Sequence, residues 1–237
     1  MEVIAHRGAS YEAPENTLAA FRLGWDQAAA CELDIWPTSD GRLVVCHDPG
    51  TKRTTGRDLL IAQHTLANLQ RLDAGSWKDP RYAGERLPSL AEVLSALPAE
   101  KSLFIEVKGD AAIVAELKRE MEASGKLSQL EIHSFDYPTC MAAKKLLPDT
   151  PVSYLSHSGA SIDDLIAKTV GSNLDGLSLQ DHPAIDAAIV QKIHDAGLTV
   201  RVWTVDDLDE ARRLRACGID GVITNRPGWL RSQLDLF

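Results

Sequence analysis

The feature that most constrains this chain is a strand–helix alternation running almost from end to end. Val3-Ile4-Ala5 reads as a short strand, and residues 17–25 as a helix with apolar side chains at 18, 21 and 25. Asn16 is placed to cap that helix. Strands are expected at 31–35 and 43–46, then in strand–helix pairs at 102–107/110–124, 129–133/137–147, 152–155/161–169, 175–179/184–196 and 198–202/206–216. A last strand at 220–223 leads into a short helix from about residue 227, and Gly197 and Gly218 fall where helix C-caps belong. Setting aside 43–46, eight strands remain, each separated from the next by a helix. That is the pattern of a (β/α)8 TIM barrel, whose usual size of about 250 residues suits a chain of 237. An open doubly wound sheet is the rival, but no dinucleotide-type glycine fingerprint is present. The expectation is one α/β domain over residues 1–237.

The strand at 43–46 interrupts the barrel rhythm in an informative way. Only Trp36-Pro37-Thr38-Ser39-Asp40-Gly41-Arg42 separates it from its predecessor, too few residues for a helical crossover. Asp40-Gly41 is a hairpin turn signal. The reading is an antiparallel hairpin after the second strand, with residue 34 facing 45 and 32 facing 47. Glu32, Asp34 and His47 then project from one face. Residues 50–88 break the repeat and read as a small insertion after His47-Asp48, with a short helix near 65–72. Ser89 and Glu92 then form a capping box for a helix to about Leu97.

Bulk properties exclude several classes. A net charge of −9 and the lack of a basic cluster argue against a nucleic-acid partner. No stretch of eighteen apolar residues and no signal-like start are visible, so neither export nor membrane insertion is expected. The cysteines at 31, 46, 140 and 217 have no metal-ligand spacing and read as reduced thiols of a cytoplasmic protein.

In a barrel of this kind, chemistry lies at the carboxyl ends of the strands. His6 and Arg7 end the first, Glu32 and Asp34 lie on the second, and the hairpin returns His47. Glu106 and Lys108, two residues apart, share a face of the third, and Trp203 ends the seventh. Buried carboxylates are costly unless paired or bound to a cation. Glu32, Asp34 and Glu106 thus read as an all-oxygen site for one hard divalent cation, Mg2+ or Ca2+. Arg7 and Lys108 suit phosphate oxygens, and His6 and His47 can exchange protons near neutral pH. A cation, two basic side chains and two imidazoles together suit phosphodiester cleavage.

His6-Arg7-Gly8, Pro14-Glu15-Asn16-Thr17, Glu32-Leu33-Asp34, His47-Asp48, Glu106-Val107-Lys108, Val202-Trp203-Thr204-Val205 and Gly221 through Pro227 occur in that order. Together they resemble the glycerophosphodiester phosphodiesterases, from residue 4 to about 229. The resemblance implies a phospholipase-C-like TIM barrel that hydrolyses glycerophosphodiesters to glycerol 3-phosphate and an alcohol. It implies His6 and His47 as acid and base, and Glu32, Asp34 and Glu106 on the metal. Arg7, Lys108 and Glu15 would serve substrate binding, with Trp203 packing on the glycerol. Small soluble substrates are favoured over lysophospholipids, because no exposed apolar stretch suggests a lipid groove. A non-catalytic phospho-ligand barrel is the remaining alternative.

Other polar residues receive blander expectations. Arg7 can also pair with Glu15. His133 is read as structural rather than pocket-lining; His157 and His182 are loop residues without a role; His64 and His194 lie on helix surfaces. Asn225-Arg226-Pro227 is expected to fix the last turn. The insertion, with Trp77 and Tyr82, is left open between a pocket cover, a structural flap and a contact in a homo-oligomer.

Overall fold

The computed structural model describes residues 1–235. Nine strands form one sheet: β1 (Glu2–Ala5), β2 (Ala30–Pro37), β3 (Leu43–Val45), β4 (Ser102–Val107), β5 (Leu130–Ser134), β6 (Val152–Ser156), β7 (Gly176–Gln180), β8 (Thr199–Trp203) and β9 (Gly221–Thr224). All except β3 pair in parallel, and β1 meets both β9 and β2. The sheet closes into the expected eight-stranded barrel, with β3 hanging from β2 as the returning arm of the hairpin.

Helices α1 (Leu18–Gln27), α4 (Leu90–Ala96), α5 (Val114–Ser124), α6 (Tyr137–Leu146), α7 (Ile162–Gly171), α8 (Ala187–Asp195), α9 (Leu208–Cys217) and α10 (Pro227–Gln233) follow the eight barrel strands. Two four-residue helices, α2 (Lys52–Thr55) and α3 (Leu66–Leu69), lie in the insertion. Apolar side chains between the barrel and these helices form two large clusters, one centred on Phe21, Leu33, Leu90 and Ile105, the other on Leu177, Val190, Val202 and Leu214. Among the described residues no helix is long and apolar enough to cross a membrane.

Two local expectations need correction. The hairpin register pairs Ile35 with Val45 and Trp36 with Val44, one residue away from the expected pairing. The turn explains this. Thr38 and Arg42 close it, with Gly41 at φ +72°, so the tip centres on Asp40. A one-residue slip reverses the face of every side chain on the returning arm. His47 nevertheless reaches the site, because β3 ends at Val45 and the chain turns beyond it. The second correction concerns α1, whose N-cap is Thr17, accepting from the Ala20 N–H, and not Asn16. Asn16 holds a left-handed φ of +57° and turns its amide inward, for a reason given below.

The Ser89/Glu92 capping box forms as expected. The insertion has a small core of its own around Val44, Cys46, Ile61, Leu69 and Leu87. It is tied to the loop after β1 by Lys78 and Tyr82, which donate to the carbonyls of Ser10 and Glu12.

Candidate active site

Parallel pairing sets the heights of the acidic side chains. Asp34 on β2 lies beside Glu106 on β4, while Glu32, two residues earlier and so on the same face, lies one layer deeper. One carboxylate oxygen from each can be chosen so that all lie within 4.8 Å of one another. His6-Arg7-Gly8 closes this nest from the end of β1. Arg7 takes a left-handed φ of +56°, unusual for a residue with a side chain, and its N–H points at Glu32 Oε2, 3.0 Å away. Gly8 is required next, because a Cβ there would stand 2.5 Å from the Ala20 backbone.

The charges interlock. Arg7 Nε is 3.4 Å from Asp34 Oδ2, and Lys108 Nζ is 3.1 Å from Asp34 Oδ1 and pairs with Glu106. Asn16 Nδ2 donates to Asp34 Oδ2 at 2.9 Å, which is why this residue abandons the helix cap. Burial opposes ionisation of Asp34, but Lys108 and Arg7 outweigh it and hold its pKa down at about 2. Burial, together with repulsion from Asp34 and Glu106, pushes Glu32 well above the usual carboxylate range. Burial and Asp34 likewise raise Glu106 to about 7, against the pull of Lys108. Asp34 Oδ1 is buried without a well-aligned hydrogen bond. Three hard oxygen donors, two of them reluctant to ionise without a cation, fit a hard divalent cation.

Each histidine has an orienting partner. His47 Nδ1 lies 2.7 Å from Asp48 Oδ1, and Asp48 is held in turn by Arg53 Nε at 2.7 Å. His6 Nδ1 lies 2.8 Å from Asn225 Oδ1. The amide of Asn225 cannot flip, since Nδ2 donates to Asp206 Oδ2 at 2.6 Å while Ser10 Oγ donates to Oδ1. An acceptor therefore faces His6, so Nδ1 carries the proton and Nε2 is left free on the side of Glu32, 4.0 Å away. Burial and the Arg7 charge lower the His6 pKa to about 4, so its ring stays neutral at physiological pH.

His6, Arg7, Glu32, His47, Glu106, Lys108 and Trp203 line one cavity of about 330 Å³ at the carboxyl ends of the strands, with Asp34 behind the wall. Glu15 does not line it; its carboxylate is clamped between Arg7 at 2.9 Å and Arg53 at 2.6 Å. No residue of 50–88 lines it either, and the insertion acts on the site through Arg53.

The rest of the cavity wall is largely aromatic, and Lys108 Nζ stands 5.8 Å from the centre of the Phe135 ring. His157 stacks on Phe135 with centroids 4.5 Å apart, and the edge of Trp203 meets both rings. The blander expectation for His157 needs correction, because its ring forms part of the pocket wall. His133 combines both readings: it lines the pocket floor and is anchored by Glu131 at 2.9 Å, in a buried network with Ser153 and Arg201. Asn225, Asp206, Asp48, Arg53 and Phe135 complete the surroundings and were not expected as participants. Asp48 carried a signal as the residue next to His47, and Asn225 as part of the motif from Gly221 through Pro227.

Fold and site together define a phosphoric diester hydrolase built on a (β/α)8 barrel. The model of the glycerophosphoryl diester phosphodiesterase family matches residues 6–229, and the chain belongs to that family. It is 34% identical to YhdW of Bacillus subtilis, provisionally named a glycerophosphodiester phosphodiesterase, over 97% of this chain and 96% of that one. It is 32% identical to a glycerophosphodiester phosphodiesterase of Caldanaerobacter subterraneus subsp. tengcongensis, covering 95% and 94% of the two chains. A solved phosphodiesterase from Oleispira antarctica, in complex with its product sn-glycerol-3-phosphate, superposes with a TM-score of 0.86 at 32% identity, covering 99% of this chain and 97% of that one.

Proposed function

We propose that this protein hydrolyses glycerophosphodiesters to glycerol 3-phosphate and an alcohol, with one divalent cation held by Glu32, Asp34 and Glu106. The observation that carries this reading is the meeting of three carboxylates, two basic side chains and two separately oriented imidazoles in one cavity. Three ionised carboxylates against Arg7 and Lys108 leave a formal charge of −3 + 2 = −1. A divalent ion would turn this to +1, suited to a phosphodiester anion. When bound, such an ion supplies Lewis-acid stabilisation of charge on a phosphoryl oxygen.

The chain's own residues do the rest. Arg7, kept in place by Glu15, and Lys108 orient the phosphate and balance its charge. His6, neutral and with Nε2 unprotonated, is suited to take a proton from the attacking hydroxyl. His47, whose Nδ1–H is backed by Asp48, is suited to hold a proton on Nε2 and deliver it to the departing alcohol oxygen. Trp203, its Nε1 donating to the Ser178 carbonyl at 3.1 Å, presents a fixed ring for the glycerol carbons. The test is a coupled glycerol 3-phosphate assay over a panel of head groups, with and without added Mg2+ or Ca2+. Metal-dependent product from glycerophosphocholine or glycerophosphoethanolamine supports the reading; no product from any head group overturns it.

A further inference from the structure

Under the catalytic cavity the barrel interior holds a polar network that no proposed step uses. Glu131 on β5 takes three donors on one oxygen: His133 Nε2 at 2.9 Å, Ser153 Oγ at 2.7 Å and Arg201 Nη1 at 2.8 Å. Burial opposes its ionisation, but His133, Arg201 and Ser153 together hold its pKa down at about 2. This carboxylate can only accept, so the His133 proton sits on Nε2 and the neutral ring keeps a lone pair at Nδ1. The ring stacks on Phe104 with centroids 5.2 Å apart, and its side chain is only 1% exposed. No described residue hydrogen-bonds Nδ1, yet this atom is not sealed from solvent. His133 lines the cavity beside Leu155 and Ile223, and Nδ1 opens into it. The basic side chains of the cavity are committed elsewhere, Arg7 to Glu15 and Asp34, Lys108 to Asp34 and Glu106. A buried acceptor therefore waits for a proton donor from the ligand.

We infer that His133 is a specificity-determining residue, whose Nδ1 accepts a hydrogen bond from the terminal hydroxyl of the substrate's glycerol unit. The assignment rests on the phosphodiesterase reading above. Counting donors decides the partner. In glycerophosphocholine the phosphate oxygens and the quaternary ammonium carry no polar hydrogen, which leaves the two glycerol hydroxyls. The middle hydroxyl is the nearer to phosphorus and stays on the side of His6 Nε2; the terminal one reaches a carbon further. His133 is the strand partner of Glu106, and neighbouring strands lie about 4.8 Å apart. A glycerol joined to a phosphate beside Glu106 is thus within range of the ring. An alcohol without that hydroxyl would leave Nδ1 buried and unpaired, which costs more than the hydrogen bond alone is worth. Sites built to bond a hydroxyl reject analogues that lack it for this reason.

The test measures choline release from glycerophosphocholine and from its 1-deoxy analogue, propane-1,2-diol phosphocholine, with Mg2+ or Ca2+ present. Wild type should favour the glycerol compound in kcat/KM by about tenfold or more. His133→Phe keeps a ring on Phe104, and His133→Leu is the smaller alternative; in either, the ratio should fall to within about twofold of one. Where turnover is absent, the same ratio is read from the calorimetric Kd values of glycerol 3-phosphate and propane-1,2-diol phosphate. A merely structural role would slow both substrates equally and leave the ratio standing. A wild-type ratio near one, or a ratio that survives the substitutions, overturns the hydrogen bond while leaving the phosphodiesterase reading intact. No turnover of either substrate, with no binding of glycerol 3-phosphate, overturns both readings.

Discussion

Glu106→Gln should make the metal-free protein more stable while disabling it. Burial and the Asp34 charge move the Glu106 carboxyl from 4.5 in the unfolded chain to about 7 in the fold, despite the ion pair with Lys108. An acid whose folded pKa is raised contributes stability below its unfolded value, and this is lost as pH climbs through the folded one. Between 4.5 and 7 the loss amounts to about 3 kcal/mol, at 1.36 kcal/mol per unit. Glutamine cannot ionise and escapes it. Lys108 is not stranded, since Asp34 remains 3.1 Å away. Urea denaturation in excess chelator should therefore show the variant more stable than wild type by up to about 3 kcal/mol near pH 8, and by under about 0.5 kcal/mol near pH 4.5. Added Mg2+ or Ca2+ should reverse the order. At a thousandfold excess over its Kd, the ion stabilises wild type by about 4.1 kcal/mol and the variant far less. A variant less stable than wild type near pH 8 without metal, or a difference independent of pH, would refute this picture of strained carboxylates awaiting a cation.

Other expectations follow from the same contacts. His47→Ala should lower kcat at least about a hundredfold with an unchanged thermal midpoint; a near-normal rate in steady-state assays would make this ring a bystander. Asp206→Asn should release the Asn225 amide and the tautomer it imposes on His6, lowering kcat about a hundredfold with little change in KM; an equal loss in both would point to general disorder of the last turn. Asp136→Asn, at the cap of α6, should leave metal affinity unchanged in a calorimetric titration, whereas Glu106→Gln should weaken it severely. The thiols of Cys46 and Cys140, pushed up to about 12 by burial, should resist alkylation at neutral pH in the native protein, with Cys217 reacting first by mass spectrometry.

Much of this molecule was legible before its structure, and the parts that were not share a physical cause. Barrel strands announce themselves by local composition, and β4 falls where expected, residue for residue. Glu32, Asp34, Glu106 and Lys108 were readable because a strand's two-residue period puts them on one face of neighbouring strands. The hairpin register was misjudged because it depends on how Thr38 and Arg42 close the turn, a choice that alternation alone does not encode. Asn16 was misread because its local signature is that of a cap, while its partner, Asp34, is eighteen residues away. The contact between His6 and Asn225 spans 219 positions and exists only because β1 and β9 are neighbours in the closed barrel. Phe135 and His157 are single residues after two strands, and only barrel closure brings them to the same wall as Trp203.

The account's central claim is that one cation, seated between Glu32, Asp34 and Glu106, is required for turnover. Its most direct test is to strip the protein with chelator, remove the chelator, and titrate Mg2+ or Ca2+ back while following glycerol 3-phosphate release. Activity should be absent at the start, rise with occupancy of a single site, and fail to return in Glu106→Gln. Full activity in the stripped protein, or recovery in that variant equal to wild type, would contradict it.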